Sequence, residues 1–214
     1  MTSVLQKLFE NGKIKTYSKE DIIIYEGDPV VHLHHIDSGY VKVFNFINSG
    51  NERIIFIYGP GDVFPLTTHL SRRQAVGNFY AAMTDVQVRM IEPRHLEQQL
   101  KDDIDKGEML INYAYDINQQ FFQRIDILSV NDARHKLVSL LVFLVQKAGS
   151  GTSLVHIDIP LTHQDIANMS GLARESVSRQ MALLKKEGVV QDSRSLAIDP
   201  VRLRKMGEDL AITT

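Results

Sequence analysis

Arg174, Glu175, Ser178 and Arg179 stand within six residues of one another, and all four side chains have chemistry suited to reading base edges. Arginine forks onto the paired acceptors of guanine, glutamate accepts from the cytosine amino group, and serine pairs with either kind of group. They open a segment in which Val177, Met181 and Leu184 recur at spacings of four and three, the apolar stripe of an amphipathic helix. Just upstream, Thr162 is placed to cap an earlier helix, with Asp165 three residues on to answer the cap backbone. Ile166, Ala167 and Met169 give that helix an apolar side, Gly171 falls at a sharp turn, and Leu172 plugs it. The spacing predicts a helix-turn-helix whose second helix enters a major groove. The competing reading is an ordinary helical hairpin in a bundle, with Arg and Glu on its solvated face.

The elements that must position this pair can be read along the 214 residues. From about residue 14 to 91, short β-branched and aromatic runs (IIIY, VKVFNFI, RIIFIY) alternate with turns at 26–28, 37–39, 48–51 and 59–62. Strands at such spacing predict a small sandwich or barrel. From 103 to 128 the pattern becomes one long helix, with Leu110, Tyr113, Ala114, Ile117, Phe121 and Leu128 on one stripe. A single narrow stripe suits a two-stranded seam, so these six are the expected dimer interface. Arg124 on the same stripe is a blemish that must snorkel or pair, and the alternative reading buries the stripe against the barrel. A second helix follows over 132–147. A flexible turn at 149–152 then leads to a strand at 155–159, and after the helix-turn-helix a hairpin at 189–198 forms a wing. The expected fold is α+β, with a β-barrel sensor domain (1–102), a dimerisation helix (103–130) and a winged helix-turn-helix (131–214).

Composition narrows the classes. The chain has no cysteine, which excludes disulfides and cysteine-ligated iron–sulfur clusters. Its net charge is −2, but it is unevenly shared. Residues 1–130 hold 13 basic against 17 acidic side chains, and residues 131–214 hold 11 against 9. The positive excess therefore accompanies the helix-turn-helix, where phosphate would be met. No apolar run reaches the length of about 18 residues that a membrane span needs. The start, MTSVLQKLFENGK, lacks a signal-peptide pattern. A cytoplasmic protein with no membrane partner is expected.

This order of parts resembles the CRP/FNR family of bacterial transcription regulators over nearly the whole chain. The likeness rests on Tyr25-Glu26-Gly27-Asp28, on Ile36-Asp37-Ser38-Gly39 with Val41-Lys42-Val43, and on Gly59-Pro60-Gly61-Asp62-Val63-Phe64. It also rests on Arg174-Glu175-Ser176-Val177-Ser178-Arg179, which matches the family's reading helix. Gln180 departs from it, because the family usually has an apolar residue there. The resemblance implies a double-stranded β-helix of cyclic-nucleotide-binding type and a homodimer, with recognition helices about 34 Å apart on a palindrome. It implies that Arg174 and Arg179 donate to guanines, that Glu175 accepts from cytosine, and that Ser178 contacts a base as in the fumarate–nitrate branch. The half-site expected is related to TGTGA or TTGA. Thr162, His163, Gln164 and Ser176 are the expected phosphate contacts. An allosteric regulator rather than an enzyme is implied, with RNA polymerase and an unidentified small-molecule effector as further candidate partners.

The signal is where the pattern departs. Cyclic-nucleotide binders of the family carry a phosphate cassette with a Gly-Glu pair after the glycine turn and an Arg followed by Ser-Ala. Here Pro65-Leu66 replaces Gly-Glu, and Arg72-Arg73 is followed by Gln-Ala. Proline offers no N–H to a phosphate. Cyclic AMP or GMP is therefore not the expected effector. Phe64, Leu66, His69, Arg72 and Arg73 mark the candidate pocket, with a solvated turn as the alternative for the two arginines. No cofactor is expected. Haem on His69 is the alternative, since imidazole is a good axial ligand. A metal pair on His32 and His34, with His35 opposite, is another, and a cupin-like metalloenzyme on those three histidines is the most distant.

Overall fold

The computed structural model describes residues 2–47, 50–101, 103–151, 153–192 and 196–210. In chain order it forms α1 (Thr2–Leu8), β1 (Lys13–Tyr17), β2 (Ile22–Ile24), β3 (Leu33–Ser38), β4 (Val41–Phe46), β5 (Glu52–Tyr58) and β6 (Val63–Phe64). Then come α2 (Leu66–Leu70), β7 (Phe79–Ala82), β8 (Val86–Ile91), α3 (Pro93–Lys101) and the long α4 (Ile104–Ser129). The remainder is α5 (Ala133–Ala148), β9 (Gly149–Ser150), β10 (Val155–Ile157), α6 (His163–Ser170), α7 (Arg174–Lys186), β11 (Val190–Asp192), β12 (Ala197–Ile198) and α8 (Pro200–Asp209). Two compact units result: Met1–Asn45 with Ile55–Gln120, and Phe46–Ile54 with Phe121–Thr214. The long helix, expected as a separate element, is shared between them. Among the described residues no helix is long and apolar enough to cross a membrane.

The first unit is built on sheets ordered β1-β8-β3-β6 and β2-β7-β4-β5, the roll expected from the strand spacing. Apolar residues at alternate positions close its interior, with Ile36, Val41 and Val88 fully buried. An aromatic stack runs through it. Phe64 lies 4.9 Å from His34, 5.3 Å from Tyr80 and 5.8 Å from Tyr58, measured between ring centroids. Such pairs add about 0.5–1.5 kcal/mol each beyond the area they bury.

The helix stripe is the main correction. Leu110, Tyr113 and Ile117 are buried within this chain, as in the reading that set the stripe against the barrel. Ala114 and Phe121 are half-buried and Leu128 is exposed. The phenol of Tyr113 accepts from the Val63 N–H at 2.7 Å and lies 3.4 Å from the Asp62 carboxylate. Asp62 in turn accepts from the Gly59 N–H at 2.7 Å, so the glycine turn, β6 and the helix form one network. Burial first, and the Asp62 charge next, push the Tyr113 phenol well above its usual pKa, which keeps it neutral. The apolar side chains left in solvent form another stripe of α4: Ile104, Ile111, Tyr115, Phe122 and Ile125.

The second unit holds α5 to α8 with the sheet β11-β12-β10-β9. The flexible turn expected at 149–152 is in part a strand: Gly149 and Ser150 pair with Ile157 and His156. A Cβ on Gly149 would lie 2.4 Å from the Val145 carbonyl oxygen and 2.6 Å from Val155 Cγ1, so only glycine allows this approach. The wing hairpin is present as β11 and β12, paired Val190 to Ile198 and Asp192 to Ala197. Its turn at Ser193 and Arg194 lies outside the described residues, as does Thr152. The helix α8 was missed, although Asp199 caps it through the N–H groups of Val201 and Arg202 with Pro200 in its first turn.

Replacing Tyr113 by Phe leaves the Val63 N–H buried without its acceptor. A stability loss of about 1–3 kcal/mol is expected, measured as the shift in the urea unfolding midpoint.

Candidate nucleic-acid interface

The reading surface is assembled from local rules. Thr162 caps α6: its hydroxyl accepts from the Asp165 N–H at 3.1 Å, and the Asp165 carboxylate accepts from the Thr162 N–H at 2.8 Å. α6 ends at Gly171, whose φ of 69° is left-handed, and its N–H closes onto the Ala167 carbonyl. Ala173 then opens α7. Ile166, Ala167 and Met169 of α6 and Val177, Met181 and Leu184 of α7 are all buried. Burial of that stripe leaves Arg174, Glu175 and Arg179 exposed on the N-terminal half of α7. None of the three has an ion-pair partner among the described residues, so their hydrogen-bonding groups are available to a ligand.

Other expected contacts are partly engaged. The hydroxyl of Ser178, expected to face a base, lies 2.9 Å from Nδ1 of His163, an expected phosphate contact. The two side chains thus tie α6 to α7 in the free protein, a geometry that sequence spacing did not suggest. The Thr162 hydroxyl also donates to Asp165 at 2.6 Å, so its part here is to hold the cap. Gln164 is exposed and pairs along the helix with Asn168 at 2.8 Å, and Ser176 is half-buried in the first turn of α7. Gln180, the departure noted in the reading helix, is half-buried, and its Oε1 has no hydrogen-bond partner.

Arg124 was legible only as a blemish on the helix stripe. It is 3% exposed and donates to the Met169 carbonyl at 2.6 Å and, more weakly, to that of Ile54 at 3.4 Å. Its guanidinium carbon also lies 5.6 Å from the Phe143 ring centroid. Burial lowers its pKa to about 10, so it stays charged at neutral pH. One cation on α4 thus holds the end of α6, the strand β5 and α5 together. Arg134 similarly joins α5 to the end of α7 through Glu187, at 3.0 Å. Both connections span dozens of residues, and no local pattern signals them.

The expected effector residues separate. Phe64 and Leu66 are buried in the core of the first unit, while Arg72 and Arg73 are exposed in the turn after α2. His69 lies 3.5 Å from the largely exposed Glu97. Of the expected pocket residues, two thus lie in the core and two on a surface turn. This does not fit a cyclic nucleotide. Pro65 stands at the head of the short helix α2 with no N–H to offer, and the residue in place of the ribose-binding carboxylate is a buried leucine. Among the described residues no three His, Asp or Glu side chains gather to hold a metal.

Comparison with known proteins agrees with this architecture. The model of a cyclic nucleotide-binding domain matches residues 14–103, and that of a Crp-like helix-turn-helix domain matches residues 135–206. The transcriptional activator protein FnrL of Cereibacter sphaeroides is 23% identical over 181 residues, covering 82% of this chain and 71% of that protein. The global nitrogen regulator of Synechocystis sp. is 24% identical over 179 residues, covering 83% and 80%. The solved structure of FixK2 from Bradyrhizobium japonicum superposes with a TM-score of 0.78 at 21% identity, covering 91% of this chain and 96% of that one.

Gly171 tests the turn. The nearest atom to an added Cβ is 3.9 Å away, so space is not limiting and the cost of Gly171→Ala comes from φ alone. A loss of about 1–2 kcal/mol in stability is expected from thermal or urea unfolding.

Proposed function

Because the chain belongs to the CRP/FNR family of transcription regulators, we propose that it acts as a homodimer on a palindromic site with TGTGA- or TTGA-like halves. The observation that carries this reading is the exposed trio Arg174, Glu175 and Arg179 at the head of a buried-backed, capped helix pair. In the groove, Arg174 and Arg179 donate to guanines and Glu175 accepts from a cytosine. The backbone N–H groups at the start of α6 and the side chains of His163, Gln164 and Ser176 hold phosphates. Engagement by DNA competes with the His163–Ser178 hydrogen bond, so Ser178 reaches a base only if that pair opens.

The seam is the outward stripe of α4. Ile104, Ile111, Tyr115, Phe122 and Ile125 follow a spacing of seven, four, seven and three, and all are more than half exposed in the single chain. Glu108 and Asn118 fall between them in the same frame, polar positions of the kind that fix register at some cost in stability. Arg124 supports a coupling route, since it fastens the far half of this helix to the end of α6. A shift of α4 would carry the reading helix with it, the two-state element that allostery needs. Pro65 and Leu66 support a controlling signal other than a cyclic nucleotide.

Selection from a random DNA library with the full-length protein should enrich a palindrome with such half-sites. No enrichment under any salt condition with the purified protein would count against an effector-free active state. The Arg179→Ala variant should lose about 1–3 kcal/mol of binding and relax preference at one base pair. Unchanged affinity and preference would overturn its role.

Sedimentation of an Ile111→Asp/Ile125→Asp variant should give a folded monomer that no longer binds the palindrome. Leu110→Ala should instead lower stability by about 2–5 kcal/mol, as expected for a core leucine.

A further inference from the structure

The first unit carries a cavity of about 560 Å³ remote in sequence from the phosphate-cassette position. Its size lies in the range of small-molecule sites. β1, β2, β3, β8 and the loop between β2 and β3 form its walls. Ile23, Ile24, Val30, Val31 and Met90 make much of the lining apolar, and Val31 is left 57% exposed. Lys13 and Lys15 stand at alternate positions of the same strand, both exposed, with no carboxylate in ion-pair range among the described residues. Lys15 Nζ lies 4.5 Å from the Tyr17 ring centroid, so it faces that ring rather than an acid.

Two histidines complete the lining. His34 is 5% exposed, stacks on Phe64, and its Nδ1 has no hydrogen-bond partner. Burial lowers its pKa to about 3; the charges on His32 and then Lys15 add to this, and a backbone contact at Phe64 opposes it. The imidazole is neutral and adds an uncharged ring beside the apolar wall. Two lysines beside the histidines disfavour a metal cation there. The one acid in the lining, Asp28, already accepts from the Tyr25 N–H at 2.9 Å. Its two lysines and one carboxylate leave the lining one net positive charge, which matches a monoanion better than a phosphate dianion.

We propose that this cavity binds a small monocarboxylate with a short apolar body, its carboxylate held by Lys13 and Lys15 and its body seated on the apolar wall beside His34. A carboxylate meeting an ammonium gains a charge-assisted hydrogen bond, and the aliphatic lining supplies the area term. The site is independent of the DNA-binding reading and is tested without DNA.

The experiment is calorimetric titration of the full-length protein with hexanoate and with phenylacetate, using hexanamide and phenylacetamide as uncharged controls. Saturable binding of at least one acid, one molecule per chain, is expected. It should weaken about tenfold or more for the matching amide and in a Lys13→Ala/Lys15→Ala variant. The lysines are exposed, so thermal melts of the lysine variant should match the parent. Absence of saturation by either acid into the millimolar range overturns the proposal. So does binding that the amides reproduce, or binding that the lysine variant leaves unchanged.

Discussion

Two buried polar side chains on one stripe of α4 govern much of this structure. Tyr113 satisfies the Val63 N–H in the first unit, and Arg124 satisfies the Met169 carbonyl in the second. Each is a polar group removed from water, and each is tolerable only because a specific backbone partner meets it. An apolar contact can slide by a fraction of a turn at small cost. A buried guanidinium cannot, because its donors are directional and its charge would be left unpaired. The rotational setting of the helix is therefore determined by these two groups more than by the leucines and isoleucines around them. That setting is also what turns Ile111, Tyr115, Phe122 and Ile125 outward.

The helix-turn-helix uses few special devices. A capping box, one left-handed glycine and six buried apolar side chains suffice to hold α6 against α7. Arg174, Glu175 and Arg179 are exposed because the opposite face of α7 is packed, and their charges need no partner while water solvates them. The His163–Ser178 contact adds a small local tie between the helices. Arg124 and Arg134 then connect the pair to α4, β5 and α5 through backbone and carboxylate oxygens. The interface thus rests on a scaffold whose longest connections are made by arginines, side chains that reach far and hold charge through burial.

In the roll, the residues that follow the glycine turn pack into the core. Pro65 and Leu66 are buried, and the arginines beyond them face solvent. Aromatic stacking of His34, Phe64, Tyr80 and Tyr58 fills the interior. The open space lies instead along β1 and β3, where lysine and histidine meet an apolar wall. The same strand framework therefore presents a different chemistry on a different part of its surface.

Where a feature depends on neighbours in the chain, the amino-acid sequence alone was enough. The capping box spans four residues, Gly171 meets a local demand for positive φ, and alternation with turns marks the strands of the roll. The buried faces of α6 and α7, and with them the exposed trio Arg174, Glu175 and Arg179, follow from a periodicity visible over a few turns. The long helix shows the limit. It carries two apolar stripes, and periodicity says that both are apolar without saying which one meets the chain itself. The stripe through Leu110, Tyr113 and Ile117 reads as a seam for a second copy, whereas the fold buries these three residues within the chain. Only tertiary structure could decide this, because the deciding partners lie far away: Val63 is 50 residues from Tyr113, and Met169 is 45 from Arg124. The engagement of Ser178 by His163 and the cavity beside His34 were hidden for the same reason. Both arise from surfaces brought together by folding, and no stretch of sequence records such a meeting before the chain has closed upon itself.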